Sequence, residues 1–190
     1  MQITHGAVPL LHDYLLQSAR ELPDKVALVC MKQRLTYGEL DANSNALAHA
    51  LVAAGVERGD RVVIFADNTV ETVISFWAAL KANAVVCIVN PLTKSDKLGY
   101  LLEDCRPAAL ITDMHIHSVF AEPARLCPHL RSVIVSGAID DENLAGLPHT
   151  RRWADAIAGG DRTSPPARTC IDNDLAAIIY TSGSTGDPKG

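Results

Sequence analysis

Five short, nearly continuous apolar runs are spaced along the sequence, and segments of helical periodicity lie between them. The runs are DRVVIFA (60–66), AVVCIV (84–89), AALIT (108–112), RSVIVS (131–136) and LAAIIY (175–180). A strand with one solvated face alternates apolar and polar residues, whereas a parallel strand covered on both faces is apolar throughout. The pattern therefore predicts an α/β fold, with a mostly parallel sheet flanked by helices.

Capping residues indicate where the helices begin and end. Thr36 and Glu39 have capping-box spacing before an apolar stripe, and Gly55 stands where that helix needs a left-handed residue to end. Thr69 and Ser95 are predicted to cap the next two helices, over 70–82 and 96–105. Upstream, the sequence predicts a helix over 10–20, a strand over 25–30 and a turn at 34–36.

Composition and charge exclude several classes of function. The 190 residues are 48% hydrophobic, enough for a core in one or two small domains. A net charge of −5 gives no general attraction to nucleic acid or to an anionic membrane. No apolar run reaches the roughly 20 residues that span a bilayer, and no lysine or arginine precedes the first apolar segment. The sequence predicts a cytoplasmic protein with no transmembrane segment and no nucleic-acid partner.

The last apolar run leads into the stretch TSGSTGDPKG, residues 181–190. Gly183 and Gly186 would let backbone N–H groups approach phosphate oxygens closely, hydroxyl side chains add donors, and Lys189 adds a positive charge. The spacing differs from the GxxxxGK[ST] pattern of common nucleoside triphosphatases, because Lys189 comes three residues after Gly186. Composition alone fits a solvated Ser/Gly linker as well as a phosphate loop, and the preceding apolar strand favours the loop.

YTSGSTGDPKG resembles the signature phosphate loop of the AMP-forming adenylating enzymes, the superfamily of acyl-CoA synthetases, peptide-synthetase adenylation domains and luciferases. The upstream segments 35–51, 55–91 and 97–112 are similar to segments of that superfamily in the same order. One position departs from its pattern, since Asn83 stands in LKANAVV where glycine is usual. Asparagine tolerates left-handed backbone better than most residues, so the helix end there is expected to survive.

This resemblance implies a ligase that works in two steps. A carboxylate attacks the α-phosphate of ATP and expels pyrophosphate, and a thiol, commonly that of coenzyme A, then captures the acyl-adenylate. The loop would hold the β- and γ-phosphates together with Mg²⁺, so that the leaving group departs in line against fixed donors. The implied cofactor-binding residues are Thr181, Ser182, Gly183, Ser184, Thr185, Gly186 and Lys189, and none of them is a nucleophile.

The resemblance also implies what the chain lacks. Family members are well over twice as long and carry the adenine, magnesium and acyl contacts and the catalytic lysine after this loop. Residues 1–190 are therefore expected to be part of the N-terminal large domain, with a flexible segment near 158–173 and without catalytic residues or the C-terminal catalytic domain. The chain by itself is expected to be inactive in adenylation, with the missing half supplied in cis or in trans.

Three alternatives stay open. The strongest is a non-enzymatic truncated relic or a split-ligase subunit that needs a partner chain, which would expose an apolar docking surface. Another is an amino-acid adenylation domain, although Asn90 precedes Pro91 where those domains more often carry aspartate, which favours a fatty or other organic acid. The last is a self-contained flavodoxin-like mononucleotide module, but its phosphate loop would normally lead into a helix.

The segment DMHIH contains a possible metal-binding group. Asp113, His115 and His117 stand at alternate positions and would fall on one face of a strand. A zinc site needs three or four converging ligands, and nothing nearby in the sequence completes this set. A surface turn is the favoured interpretation, and no metal site is predicted.

Overall fold

The computed structural model of the chain describes residues 8–138, 141–181 and 190. In these ranges the helices are α1 (Leu11–Glu21), α2 (Tyr37–Ala53), α3 (Val70–Lys81), α4 (Ser95–Cys105), α5 (His117–Leu126) and α6 (Trp153–Ala158). The strands are β1 (Val26–Cys30), β2 (Gln33–Thr36), β3 (Arg61–Phe65), β4 (Val85–Val89), β5 (Ala109–Asp113), β6 (Ser132–Ser136), β7 (Thr150–Arg152) and β8 (Ala177–Ile178). Short 3₁₀ turns cover Met114–Ile116 and Asp141–Leu144. None of the described helices combines the length and the apolar character that a membrane span requires.

The described strands β3 to β8 form one parallel sheet in the order β7-β6-β5-β3-β4-β8. β3 lies in the interior of the sheet and pairs with β4 on one side and β5 on the other. Its residues Val62, Val63, Ile64 and Phe65 are all fully buried, because helices cover both faces of the sheet. The predicted parallel sheet flanked by helices is confirmed.

Helices on the two faces of the sheet divide the core into two layers. α1, α2, α3 and α6 pack on the face that carries Ile64, where Leu47 and Leu51 of α2 are fully buried. α4 and α5 pack on the face that carries Phe65, with Leu98 and Phe120 at the centre. β3 to β7 follow the 2-1-3-4-5 order of flavodoxin-like folds, and β8 extends this order beyond β4.

The segment before α2 differs from its prediction. Residues 33–36, which include the predicted turn, form the strand β2, and β2 pairs antiparallel with β1 in a small separate sheet. Met31 has left-handed backbone with a φ of 52°, which lets the chain reverse between Cys30 and Gln33. The sequence did not predict this hairpin, because its turn residues Met31 and Lys32 are not the glycine or asparagine that usually occupies such a turn.

The long helix α2 begins and ends as predicted. Thr36 Oγ1 accepts a hydrogen bond from the Glu39 N–H at 3.2 Å, and Glu39 Oε2 accepts from the Thr36 N–H at 2.9 Å. Gly55 has a φ of 86°, which only glycine adopts without strain. Both the capping box and the left-handed helix end are confirmed.

The two other predicted caps are wrong in detail. α3 begins directly after Thr69, but the Thr69 side chain makes no capping hydrogen bond. α4 begins at Ser95 itself, one residue earlier than predicted, because the Leu98 N–H already bonds to the Lys94 carbonyl at 2.9 Å. Ser95 is thus inside the first turn of its helix and not at the cap.

Asn83 joins the end of α3 to the segment near 158–173. Its φ of 61° confirms the left-handed conformation expected at this departure from the family pattern. Its side-chain Nδ2 donates to the Ala167 carbonyl at 3.0 Å, and Oδ1 accepts from the Thr169 N–H at 2.8 Å and the Cys170 N–H at 3.1 Å. A glycine could not make these three contacts. The flexibility of the segment stays a prediction.

The last strand is shorter and more exposed than its apolar run predicts. β8 spans Ala177–Ile178 at the edge of the sheet, where it pairs with β4. Leu175 and Ile179 flank it and are 68% and 74% exposed. The run was expected to be buried on both faces, but β8 has a neighbour on one side, and these two side chains stay open to solvent in the described part of the chain.

Candidate functional site

β8 leads to Thr181, the first residue of the predicted phosphate loop, at the carboxyl edge of the sheet. It runs parallel to β4, with Ala177 opposite Val86 and Ile178 opposite Cys87, and the Val86 N–H donates to the Ala176 carbonyl at 3.0 Å. The paired strands all run in the same direction, so the residues after β8 share an edge with those after β3, β4 and β5. Open α/β sheets bind their ligands at this edge.

The structure places one of the predicted phosphate contacts. Thr181 is exposed and follows Tyr180 at the end of the last strand. The other predicted contacts, Ser182, Gly183, Ser184, Thr185, Gly186 and Lys189, lie outside the described residues. Beyond them, Gly190 lies so close to β8 that a Cβ would be 2.8 Å from Ile178 Cγ2 and 2.9 Å from Tyr180 Cζ. A side chain at position 190 would require Ile178 or Tyr180 to shift, and both Thr181 and Gly190 therefore lie beside the same strand.

Tyr180 anchors the end of this strand to α4. Its hydroxyl donates a hydrogen bond to the Asp104 carboxylate, and its ring packs against the core layer on that face. Burial is the largest cause that raises the pKa of Tyr180 above its usual range, and the hydrogen bond to Asp104 is the second largest. The hydroxyl therefore stays protonated and keeps its bond to Asp104, which fixes the residue before the predicted loop.

A recess of about 530 Å³ opens between Tyr180 and the connection from β4 to α4. Asn90, Thr93, Lys94 and Lys97 contribute to its lining, and both lysine side chains are exposed. Asp96 lines the recess as well, so its carboxylate offsets part of the lysine charge. The two lysines leave a net positive charge beside the strand that leads into the predicted loop. Sequence reasoning missed these two lysines, because they lie far upstream in the sequence and come beside Tyr180 through the pairing of β4 with β8.

The chain matches a model of the "AMP-binding enzyme" family over residues 15–190. One of the linear gramicidin synthase proteins of Brevibacillus parabrevis is 34% identical over 188 residues, which are 99% of this chain and 3% of that protein. The 4-hydroxybenzoate–CoA/benzoate–CoA ligase of Rhodopseudomonas palustris is 34% identical over 166 residues, which are 87% of this chain and 29% of that protein. The chain thus spans less than a third of the length of either relative.

A similar solved structure is that of the anthranilate CoA ligase AuaEII in complex with anthranoyl-AMP. It superposes with a TM-score of 0.84 at 25% identity, over 93% of this chain and 33% of that one. This likeness confirms the fold of the N-terminal part of an adenylate-forming ligase. From the family match over residues 15–190 and this structural likeness, the chain belongs to the AMP-binding enzyme family of AMP-forming ligases.

Proposed function

We propose that the chain forms the N-terminal part of an ATP-dependent ligase that activates a carboxylic acid as its acyl-adenylate. The observation that carries the proposal is the position of Thr181, the residue that opens TSGSTGDPKG. It stands at the carboxyl edge of a parallel sheet, directly after Tyr180, which lines the recess with Lys94 and Lys97. Membership of the AMP-forming ligase family supports the general reaction, for which ATP is the nucleotide and Mg²⁺ its usual ion.

In the proposed reaction the substrate carboxylate attacks the α-phosphorus of ATP, the bond to the bridging oxygen breaks, and pyrophosphate leaves with the bonding electrons. The loop supplies hydroxyl and backbone N–H donors to the β- and γ-phosphates and their Mg²⁺, so that the growing charge meets groups already in place. Lys94 and Lys97 add positive charge from the side of α4. The residues assigned to the phosphates are Thr181, Ser182, Gly183, Ser184, Thr185, Gly186 and Lys189.

We assign the substrate to the fatty or other organic acids and the thiol acceptor to coenzyme A. Asn90 precedes Pro91 beside the recess, where amino-acid-activating domains more often carry aspartate. The relatives include both classes, since a benzoate–CoA ligase and a gramicidin synthase match with the same identity. An amino acid is therefore the competing substrate. The two substrate assignments differ in which acids react with ATP to give the acyl-adenylate and pyrophosphate.

The test begins with the intact mass of the native product, captured with an antibody raised against residues 8–138. We expect a product more than twice the length of this chain, which exchanges labelled pyrophosphate into ATP with an aliphatic or aromatic acid. Lys189→Ala should slow the exchange about tenfold or more, because it removes a charge-assisted contact to the leaving group. Lys32→Ala, at an exposed lysine in the β1–β2 turn, is the matched control and should leave it unchanged. A long product that shows no exchange with any acid would overturn the proposal, and exchange with amino acids alone would overturn the substrate assignment.

The exposed apolar residues around β8 favour one alternative, a subunit of a split ligase that a partner chain completes. Leu175 and Ile179 are the side chains that a missing part of the fold would cover, whether it comes in cis or in trans. The 190-residue chain alone is expected to give no pyrophosphate exchange. A native product of this length that co-purifies with a second chain and exchanges pyrophosphate would establish the split ligase. A native product of this length that has neither a partner chain nor activity would favour the truncated relic.

A further inference from the structure

Three metal-binding side chains meet where β3 and β5 end. Asp67 follows β3, Asp113 is the last residue of β5, and His115 lies in the 3₁₀ turn after it. One ligand atom from each residue, two carboxylate oxygens and one imidazole nitrogen, lie within 4.8 Å of one another. His115 Nε2 is 3.1 Å from Asp67 Oδ2.

The position of this group in the sheet points to a ligand independently of its residue types. β3 connects through α3 to β4 on one side, whereas β5 connects through α5 to β6 on the other side. α3 and α5 also pack on opposite faces of the sheet. The connections after β3 and β5 therefore diverge and leave a topological switch point between them, which is where open α/β sheets bind ligands.

Asp113 is held in a fixed orientation with part of its carboxylate still available. It is 6% exposed, Oδ2 accepts from the Asp67 N–H at 2.9 Å, and Oδ1 accepts from the Ser136 hydroxyl. A carboxylate offers about four lone-pair positions, so these two bonds leave room for a further partner. Metal ligands are commonly oriented by such outer hydrogen bonds. The side chains of Asp67 and His115 are about half exposed and can adjust to an ion.

We propose that Asp67, Asp113 and His115 bind a divalent first-row transition-metal ion of the Zn²⁺ class. An imidazole with two carboxylates suits such an ion better than Mg²⁺ or Ca²⁺, which take oxygen ligands. His115 and Asp67 are in ion-pair contact at 3.1 Å, and this spacing is also the roughly 3.0–3.4 Å between two ligands of an ion bound at about 2.1 Å, so an ion could replace the direct contact without a large movement. Three protein ligands leave positions for water, and the ion would join the connections after β3 and β5.

The ligand set differs from the one that DMHIH suggested. The structure places Asp67, and not His117, in the group whose ligand atoms lie within 4.8 Å of one another. The His117 ring packs edge to face on Phe120, with ring centroids 5.5 Å apart. Asp67 could not be found from the sequence, because the pairing of β3 with β5 brings it to residues far along the chain.

The test is calorimetric titration of the 190-residue chain with Zn²⁺. We expect one equivalent to bind, with affinity reduced about tenfold or more in Asp67→Asn and in His115→Gln, since each removes one of three ligands. His129→Gln is the matched control, because His129 is exposed and outside the group. Zn²⁺ should also raise the thermal unfolding midpoint of the wild type and of the control more than that of the two variants.

Three outcomes would overturn the proposal: no binding below millimolar Zn²⁺, binding that survives both substitutions unchanged, or an equal loss in His129→Gln. Asp67→Asn and His115→Gln alter half-exposed side chains, so both variants should have the far-UV circular dichroism spectrum of the wild type. Asp113→Asn would leave one acceptor oxygen for the two buried donors, the Asp67 N–H and the Ser136 hydroxyl, and it is therefore the less informative variant. None of these measurements uses ATP or an acid, so the metal site stands or falls separately from the ligase assignment.

Discussion

The central strand β3 and the edge strand β8 are built from similar residues and lie in opposite environments. Ile64 in β3 is fully buried, whereas Ile179 just after β8 is largely exposed. β3 has a paired strand on each side and helices over both faces, while β8 pairs with β4 alone. An apolar run indicates a strand whose two faces are both buried in the folded protein. It does not show that helices within these 190 residues are the elements that bury them.

The sharpest test of this difference substitutes the same residue type at both strands. Ile64→Ala should lower the free energy of unfolding by about 4 kcal/mol, because it leaves a cavity between the sheet and the helices that cover that face. Ile179→Ala should change it by less than about 0.5 kcal/mol, because its side chain is already largely in water. Equilibrium urea unfolding of both variants measures the two values. Equal losses would mean that β8 is covered in solution, and the contrast between the strands would be wrong.

A buried polar contact holds the helices that cover one face of β3. The Lys81 ammonium on α3 donates to Asp41 Oδ1 at 2.6 Å and to Ser44 Oγ and Asn45 Oδ1, both at 2.7 Å, on α2. Lys81→Met should lower the free energy of unfolding by about 3 kcal/mol, since it leaves the Asp41 carboxylate without its cation. Urea unfolding checks this value. Lys32→Met, at an exposed lysine, is the control. A similar loss of unfolding free energy in this control would mean that the buried contact of Lys81 is not the cause.

The same contact predicts a dependence of stability on pH. Burial lowers the pKa of Lys81 from its usual value of 10.5, against the opposing effect of Asp41. Between the folded and unfolded pKa values the unfolded state binds more protons, so the contribution of Lys81 to stability rises with pH. The free energy of unfolding of the wild type, relative to Lys81→Met, should therefore increase as the pH approaches 10.5. If the unfolding free energy of the wild type relative to Lys81→Met falls as the pH rises toward 10.5, burial is not the dominant influence on the pKa of Lys81.

The parts of the fold that the sequence predicts are those with a local signal. The runs that became β3 to β6 are apolar on both faces, and Thr36, Glu39 and Gly55 mark the ends of α2 by their own chemistry. β2 was not predicted, because Met31 makes its turn without a typical turn residue. The exposure of β8 was not predicted either, since it depends on what packs against the strand and not on the strand's own residues.

The candidate sites divide in the same way. Residues 181–186 and Lys189 could be predicted as phosphate contacts because their residue types follow one another in a motif. Lys94, Lys97 and Asp67 were missed, because strand pairing brings them to their sites from distant parts of the chain. Asn83 lies between these cases: its left-handed backbone was expected from its residue type, but its contacts to 167–170 were not.

Asn83→Gly would test how the segment near 158–173 places β8. Glycine keeps the φ of 61° without strain, so the substitution isolates the loss of the three side-chain hydrogen bonds. We expect a loss of about 1–2 kcal/mol of stability. Hydrogen exchange at the Val86 N–H, which bonds to Ala176, should also become faster. Asn83→Asp keeps the acceptor oxygen but sets a carboxylate oxygen against the Ala167 carbonyl, so it should not restore the lost stability. Unchanged exchange in Asn83→Gly would mean that β8 holds its place without this contact.

The smallest expected change in stability is at the exposed residues around β8. Leu175→Ser combined with Ile179→Ser should leave the urea midpoint within error, because both side chains are largely in water. The variant should nevertheless bind less of a dye that reports apolar surface, if the edge forms a continuous patch. Val29→Ser with Leu126→Ser is the matched control, since these residues are also exposed but lie on other elements. An equal fall in dye binding in the control would make the β8 edge ordinary surface. A fall confined to the β8 variant would identify this edge as an exposed apolar patch of the kind that marks a docking surface.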